Sequence, residues 1–156
     1  MTENEQLIHQ FYSAFEKGDY KRMQSCYADN ATFNDAAFKG LNGEQVRAMW
    51  EMLCKNGKGF KLSYSNIKHT ETGATADWVA TYTFSKTGRK VVNRVHAEFD
   101  IKNGKIVNHR DHFDFYTWAK QAFGVAGLLI GWTDFFKNKV RSTASENLAK
   151  FMNAES

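Results

Sequence analysis

No proline occurs among the 156 residues, although the chain contains several turns. Proline stiffens the unfolded chain and is favoured in the loops of heat-stable proteins. Its absence predicts a flexible, cold-adapted protein melting below about 65 °C, the upper end of the usual mesophile cluster. Cysteine is scarce, with Cys26 and Cys54 in unrelated local contexts, so no disulfide framework is expected and a reducing cytoplasm is the natural compartment. The start MTENEQLIHQ lacks the basic residues and apolar run of a secretory signal. The apolar run GVAGLLIGW, residues 124–132, is well short of the roughly 20 residues that cross a bilayer. There is no Lys/Arg block either. A net charge of +4 spread along the chain argues against a nucleic-acid partner. No internal repeat or low-complexity linker divides the chain.

What the chain has is apolar and aromatic mass. Hydrophobic residues make up 42% and aromatics 15%, enough to fill the core of one ordinary domain and still line a cavity. Leu7, Ile8, Phe11, Tyr12, Ala14 and Phe15 recur at helical spacing, and Gly18-Asp19 separates them from a second helix carrying Tyr20, Met23 and Tyr27. Residues 31–40, ATFNDAAFKG, read as a short extended piece with Phe33 and Asp35 on one side. A third helix with Val46, Met49, Trp50 and Leu53 on one face ends at Asn56-Gly57.

From Gly59 the period changes to two. Strands are predicted over 60–70, 74–85, 89–101 and 105 to about 116, separated by the hairpin signals ETGA, KTG and KNG. Four antiparallel strands after three helices predict an α+β domain whose curved sheet wraps around a helix. The tail, 117–152, returns to helical spacing, with Phe136, Val140, Ala144, Leu148 and Phe151 in one stripe and Thr133 or Asp134 as a cap. Its remaining apolar residues must be buried. A lid over a pocket, a dimer contact or a membrane-surface helix would each do so, and the first two are preferred because the 124–131 segment has no basic face of its own.

The segment HRDHFD, residues 109–114, carries the chemistry. On a strand Val107, His109, Asp111, Phe113 and Phe115 share a face, which is mostly apolar and so turns inward. A carboxylate and an imidazole on such a row are costly to desolvate, on the order of several kcal/mol, unless paired, hydrated or used. The same parity gives inward rows of Val91, Asn93, Val95, Ala97 and Phe99, and of Trp78, Ala80, Tyr82 and Phe84. The implied cavity is aromatic-walled, with Asp35, Asn93, His109, Asp111 and the Tyr82 hydroxyl as its polar groups, the composition of a small-molecule site. Two carboxylates on one apolar cavity raise each other's pKa and suit proton transfer. His109 and Asp111 against His112 and Asp114 point to opposite faces, so no metal is expected. Arg110 and Asp114 are expected as a pair on the outer face, near His96 and Glu98.

The stretches FYSAFEKGDYKRM, ATFNDAAF and FDIKNGKIVNHRDHFD resemble the nuclear transport factor 2-like superfamily over about residues 5–116. Its enzymes include ketosteroid isomerase, limonene epoxide hydrolase and SnoaL-like polyketide cyclases. The chain looks most like the SnoaL-like, ketosteroid isomerase-related group, whose members carry a helical tail. The resemblance implies a domain over 1–116, extended by helices over 117–156. It implies a cone-shaped antiparallel sheet wrapped around the N-terminal helices, a cystatin-like α+β barrel, usually as a homodimer around one deep pocket.

Residue by residue, the carry-over is partial. Asp35 matches the isomerase base, but the isomerase's two oxyanion donors fall at Phe11 and Ala97, which cannot donate; Tyr12 lies one position away, about 100° round the helix. RDHFD resembles the hydrolase ending and puts Asp111 at a water-activating carboxylate, while the hydrolase's Arg and partner Asp fall at Trp78 and Ala80. In the cyclases a last-strand aspartate is the base, and Asp111 is its match. The expectation is a cofactor-independent acid/base enzyme, an isomerase, cyclase or hydrolase, acting on a hydrophobic carbonyl or epoxide compound. Asp111, Asp35 and His109 would be catalytic, with Asn93, Tyr82, Trp78, Tyr12, Trp50 and Phe113 around the ligand. The competing expectation is a non-catalytic module that holds a hydrophobic ligand.

Overall fold

The computed structural model describes residues 1–57 and 59–155. Helix α1 (Glu3–Glu16) starts at a capping box in which Thr2 accepts from the Glu5 amide and Glu5 accepts from the Thr2 amide. Gly18, at φ +69°, turns the chain out of α1, and Asp19 caps the short α2 (Tyr20–Ser25). β1 (Tyr27–Asn34) follows, then α3 (Gly43–Asn56), opened by a second capping box between Asn42 and Gln45. The sheet continues with β2 (Lys61–His69), β3 (Gly73–Phe84), β4 (Arg89–Lys102) and β5 (Lys105–His112). Asn103 and Gly104, both at positive φ, make the tight turn between β4 and β5. Three helices complete the chain: α4 (Phe115–Phe123), α5 (Val125–Ile130) and α6 (Asp134–Glu155).

The expected cone-shaped antiparallel barrel does not form. The sheet is open and mixed, in the order β1-β5-β4-β3-β2, and β1 runs parallel to β5 with Phe33 opposite His109. Residues 31–34, the start of the segment read as a short extended piece, are thus the second half of a true strand, and Tyr27, assigned from its spacing to the second helix, begins it; residues 35–40 lie outside the strand. β1 and β2 are the two edges and do not pair with each other. β2 stays an edge for physical reasons: most of its residues are exposed, it carries Lys61 and Lys68, and its register breaks between Ser65 and Lys68 around Asn66 at φ 56°.

The inward rows follow the predicted parity. Trp78, Ala80, Val91, Val95, Ala97 and Phe99 are buried, and all but Val91 pack with Ile8, Phe11 and Phe15 of α1 and Val46, Met49 and Trp50 of α3 in one core. The last strand ends at His112, four residues earlier than predicted. Asp114 accepts from the Thr117 amide and caps α4, which ends the strand and commits the Asp114 carboxylate to the helix start rather than to Arg110. Arg110 pairs instead with Asp100 at 3.0 Å and Glu98 at 3.5 Å. In the tail, Thr133 accepts from the Phe136 amide to start α6, whose Leu148 reaches the main core.

Candidate functional site

A cavity of about 960 Å³ opens between the inner face of the sheet and helices α3, α4 and α6. Its walls are mainly aromatic and aliphatic: Phe15, Trp50 and Phe60 on one side, Phe113 and Phe115 at the end of β5. Into this apolar space the sheet presents Asp111 and Asn93, and the loop after β1 presents Asp35.

Asp111 stands where β5 pairs with β4, opposite Ala97, whose methyl group leaves room in front of it. Asp111 is 5% exposed, and its Oδ1 lies 2.8 Å from His109 Nε2. Among the described residues its Oδ2 has no protein partner. His109 is fully buried behind Asp111 and does not touch the cavity. Its Nδ1 lies 2.8 Å from the Tyr27 hydroxyl, which also accepts from Trp50 Nε1 at 2.8 Å.

The donors and acceptors of this chain can be assigned by elimination. Indole N–H only donates and an ionised carboxylate only accepts. Trp50 therefore donates to Tyr27, the Tyr27 O–H donates to His109 Nδ1, and His109 Nε2–H donates to Asp111. Every member is satisfied when His109 is neutral and Asp111 ionised. Protonating His109 would leave the buried Tyr27 proton without its acceptor. Phe11, Phe33, Phe99 and Trp50 surround the imidazole and hold its plane.

Asp35 Oδ1 accepts from the amides of Ala37 at 2.8 Å and Phe38 at 2.7 Å, an Asx turn that aims the carboxyl into the cavity. Burial pushes its pKa up to about 6, with the Asp111 charge adding to the shift and the two amide bonds opposing it. Asp35 is mostly buried and lines the cavity.

Other polar groups converge on the same space. Tyr82 lines the cavity, and its hydroxyl accepts from Trp118 Nε1 at 2.8 Å, leaving the O–H to donate. Asn93 makes no side-chain hydrogen bond among the described residues. Among the described residues Trp78 Nε1 and Tyr12 Oη are buried without partners. Lys150 and Asn147 of α6 stand at the rim.

The structure thus gathers Asp111, Asp35, Asn93, Tyr82, Trp78, Trp50 and Phe113 around one cavity. It places His109 and Tyr12 one layer behind the wall. Tyr12 is fully buried against Tyr64, Trp78 and Phe99, and Phe11, the residue at the isomerase donor position, packs on His109. One contribution escaped the sequence reading: Tyr27 has no local signal, since its role depends on a partner 82 positions away. The helices α4 and α6 supply Trp118, Val140 and Phe151 to the wall, in keeping with the lid among the roles expected of the tail.

Residues 8–109 match the SnoaL-like domain family. No curated protein matches the chain. Solved structures share its fold at low identity. An epoxide hydrolase of M. tuberculosis, described as limonene epoxide hydrolase-like, is 17% identical, with a TM-score of 0.65 over 82% of this chain and 96% of that one. A nuclear transport factor 2-like protein of unknown function from Burkholderia pseudomallei is 16% identical, with a TM-score of 0.69 over 80% of this chain and all of the other. A candidate polyketide cyclase from Xanthomonas campestris is 16% identical, with a TM-score of 0.65 over 77% and 96%.

Proposed function

The chain belongs to the SnoaL-like domain family of the nuclear transport factor 2-like superfamily, and from that premise we propose that its cavity is the active site of an acid/base enzyme acting on a hydrophobic carbonyl or epoxide compound without a cofactor. The observation that carries this reading is the Trp50–Tyr27–His109–Asp111 chain, which presents one free carboxylate oxygen to an apolar cavity. Such relatives as an epoxide hydrolase and a candidate polyketide cyclase use the same fold.

In the isomerase or cyclase form of the reaction, Asp111 Oδ2 takes a proton from the carbon next to a carbonyl. The negative charge moves to the carbonyl oxygen, where Asn93, the Tyr82 O–H or protonated Asp35 donates a hydrogen bond. Return of the proton at another carbon completes an isomerisation; attack of the deprotonated carbon on a second carbonyl, whose oxygen then takes the proton back from Asp111, completes a ring closure. In the hydrolase form Asp111 takes a proton from water as the oxygen attacks an epoxide carbon, and Asp35 protonates the opening oxygen. His109 is a positioning residue: its Nε2–H holds Oδ1, so that Oδ2 faces the substrate.

A second reading, a binding module for a hydrophobic ligand, draws on Phe11 and Ala97, which replace both isomerase donors, and on the His109 contact that already satisfies part of Asp111. The homodimer belongs to the proposal, with the exposed outer face of the sheet around Glu98, Arg110 and His112 as its contact. So does a cytoplasmic location, supported by two unpaired thiols. The deciding experiment is a native mass spectrum and crystal structure of the protein purified from its own host. Solvent deuterium incorporation into the co-purified compound should follow, by wild type and by Asp111→Asn. Exchange by wild type that falls by about 10²–10⁴ in the variant supports the enzyme. Tight retention of the compound with no exchange and no conversion by either protein selects the binding module.

A further inference from the structure

Helix α5 is built inside out. Val125, Leu128, Leu129 and Trp132 follow one another at the spacing of one helical face, and all four are exposed, Leu129 at 64% and Trp132 at 65%. Phe135 and Ile130 extend the apolar surface. The opposite face carries only Gly127 and Gly131, against Ala119 of α4, so close that a Cβ on Gly127 would overlap the Ala119 carbonyl. Small residues turned inward and large apolar ones turned to solvent reverse the usual surface helix.

The backbone at the end of α5 needs no water. The Gly127 carbonyl accepts from the Gly131 amide, Leu128 from the Tyr116 hydroxyl, Leu129 from Trp132 Nε1, and Ile130 from the Thr133 amide and hydroxyl. This suits a segment that enters a medium without hydrogen-bond donors.

The charge around it is mainly positive. The β3–β4 turn is held to α4 by Thr87 donating to the Ala122 carbonyl and Arg89 donating to Gln121. It brings Lys86, Arg89 and Lys90 to this end of the molecule. Lys120 lies over Tyr116, and Lys137 and Lys139 follow on α6. Across residues 84–90 and 115–139 these six cations face a single acidic residue, Asp134.

We propose that this surface docks on an anionic lipid bilayer, with the apolar face of α5, Trp132 and Phe135 entering the headgroup region and the surrounding cations on the lipid phosphates. No described helix is long and apolar enough to cross a membrane, so the contact is peripheral. A second copy is disfavoured as occupant, because a two-fold contact through the same face would set the six cations against six more. Docking also brings α4 and α6, which wall the cavity, to the surface where apolar compounds partition. The inference does not depend on the proposed chemistry.

Flotation of the full chain with vesicles of phosphatidylcholine alone, or mixed with phosphatidylserine, tests it. Wild type is expected to float with the mixed vesicles and to lose about tenfold in affinity on pure phosphatidylcholine or at high salt. The double variants Leu129→Ser/Trp132→Ala and Lys137→Glu/Lys139→Glu are each expected to lose about tenfold or more while keeping the wild-type circular dichroism spectrum. Failure of wild type to float with the mixed vesicles at low salt overturns the proposal. Flotation that both variants retain also overturns it, as does a concentration-dependent dimer that Leu129→Ser/Trp132→Ala dissolves without any vesicle binding.

Discussion

His109 and Asp111 sit two residues apart on one strand and meet through a 2.8 Å hydrogen bond in which the imidazole is wholly buried and the carboxylate faces the cavity. The strand alone cannot hold that contact, because adjacent side chains on one face of a pleated strand stand parallel and apart. Tyr27 and Trp50 tie down the far side of the ring. The cavity therefore receives a carboxylate whose orientation is set from behind, with its second oxygen left for a substrate.

Breaking that support should be costly. His109→Leu keeps apolar bulk but leaves the Tyr27 proton without an acceptor and Asp111 without its donor. Stability is expected to fall by about 2–4 kcal/mol, from two buried polar groups left unpaired. Urea unfolding measures this. A loss under about 0.5 kcal/mol would mean that water replaces the imidazole.

Asp35 should write its own pH signature. Its folded pKa, about 6, lies above the ordinary carboxylate value of 3.8, so between these limits the folded protein holds more protons than the unfolded chain. Stability therefore falls as pH rises from about 4 to about 6. The cost of keeping the group ionised is fully present above that window, at about 1–3 kcal/mol. Asp35→Asn keeps the acceptor for the Ala37 and Phe38 amides and removes the charge. The variant is expected to be more stable than wild type at pH 7, equal to it near pH 4, and without the fall that Asp35 causes across the window. Chemical denaturation at several pH values reads the difference, and parallel curves for the two proteins would contradict it.

The packing of α5 on α4 predicts a sharp response at one small residue. Gly127→Ala forces the backbones apart, because the new Cβ meets the Ala119 carbonyl and not a flexible side chain. A loss of about 1–3 kcal/mol is expected. Hydrogen exchange should localise it to the α4–α5 pair, leaving the protection of β3 and β4 unchanged.

Much of the site could be read from the chain because alternation along a strand is local. Trp78, Ala80 and Tyr82, then Asn93 and Val95, then Asp111 and Phe113, each face the cavity by parity alone. The cap of the last helix was equally accessible, since Thr133 accepts from an amide three residues on. The expected Arg110–Asp114 pair did not form, because a side-chain cap at Asp114 turned the chain from strand to helix within two residues of His112.

Period and composition thus decided which residues face inward and that an aromatic cavity with carboxylates would result. They could not decide sheet closure, because closure depends on whether two edges far apart in the chain hydrogen-bond. β1 added in parallel beside β5, and β2, bulged and charged, stayed open. Nor could they supply the Tyr27–His109 contact or the outward apolar face of α5. The first needs strands 82 residues apart brought into register, and the second needs Gly127 pressed on Ala119, both of which arise only when the chain packs in three dimensions.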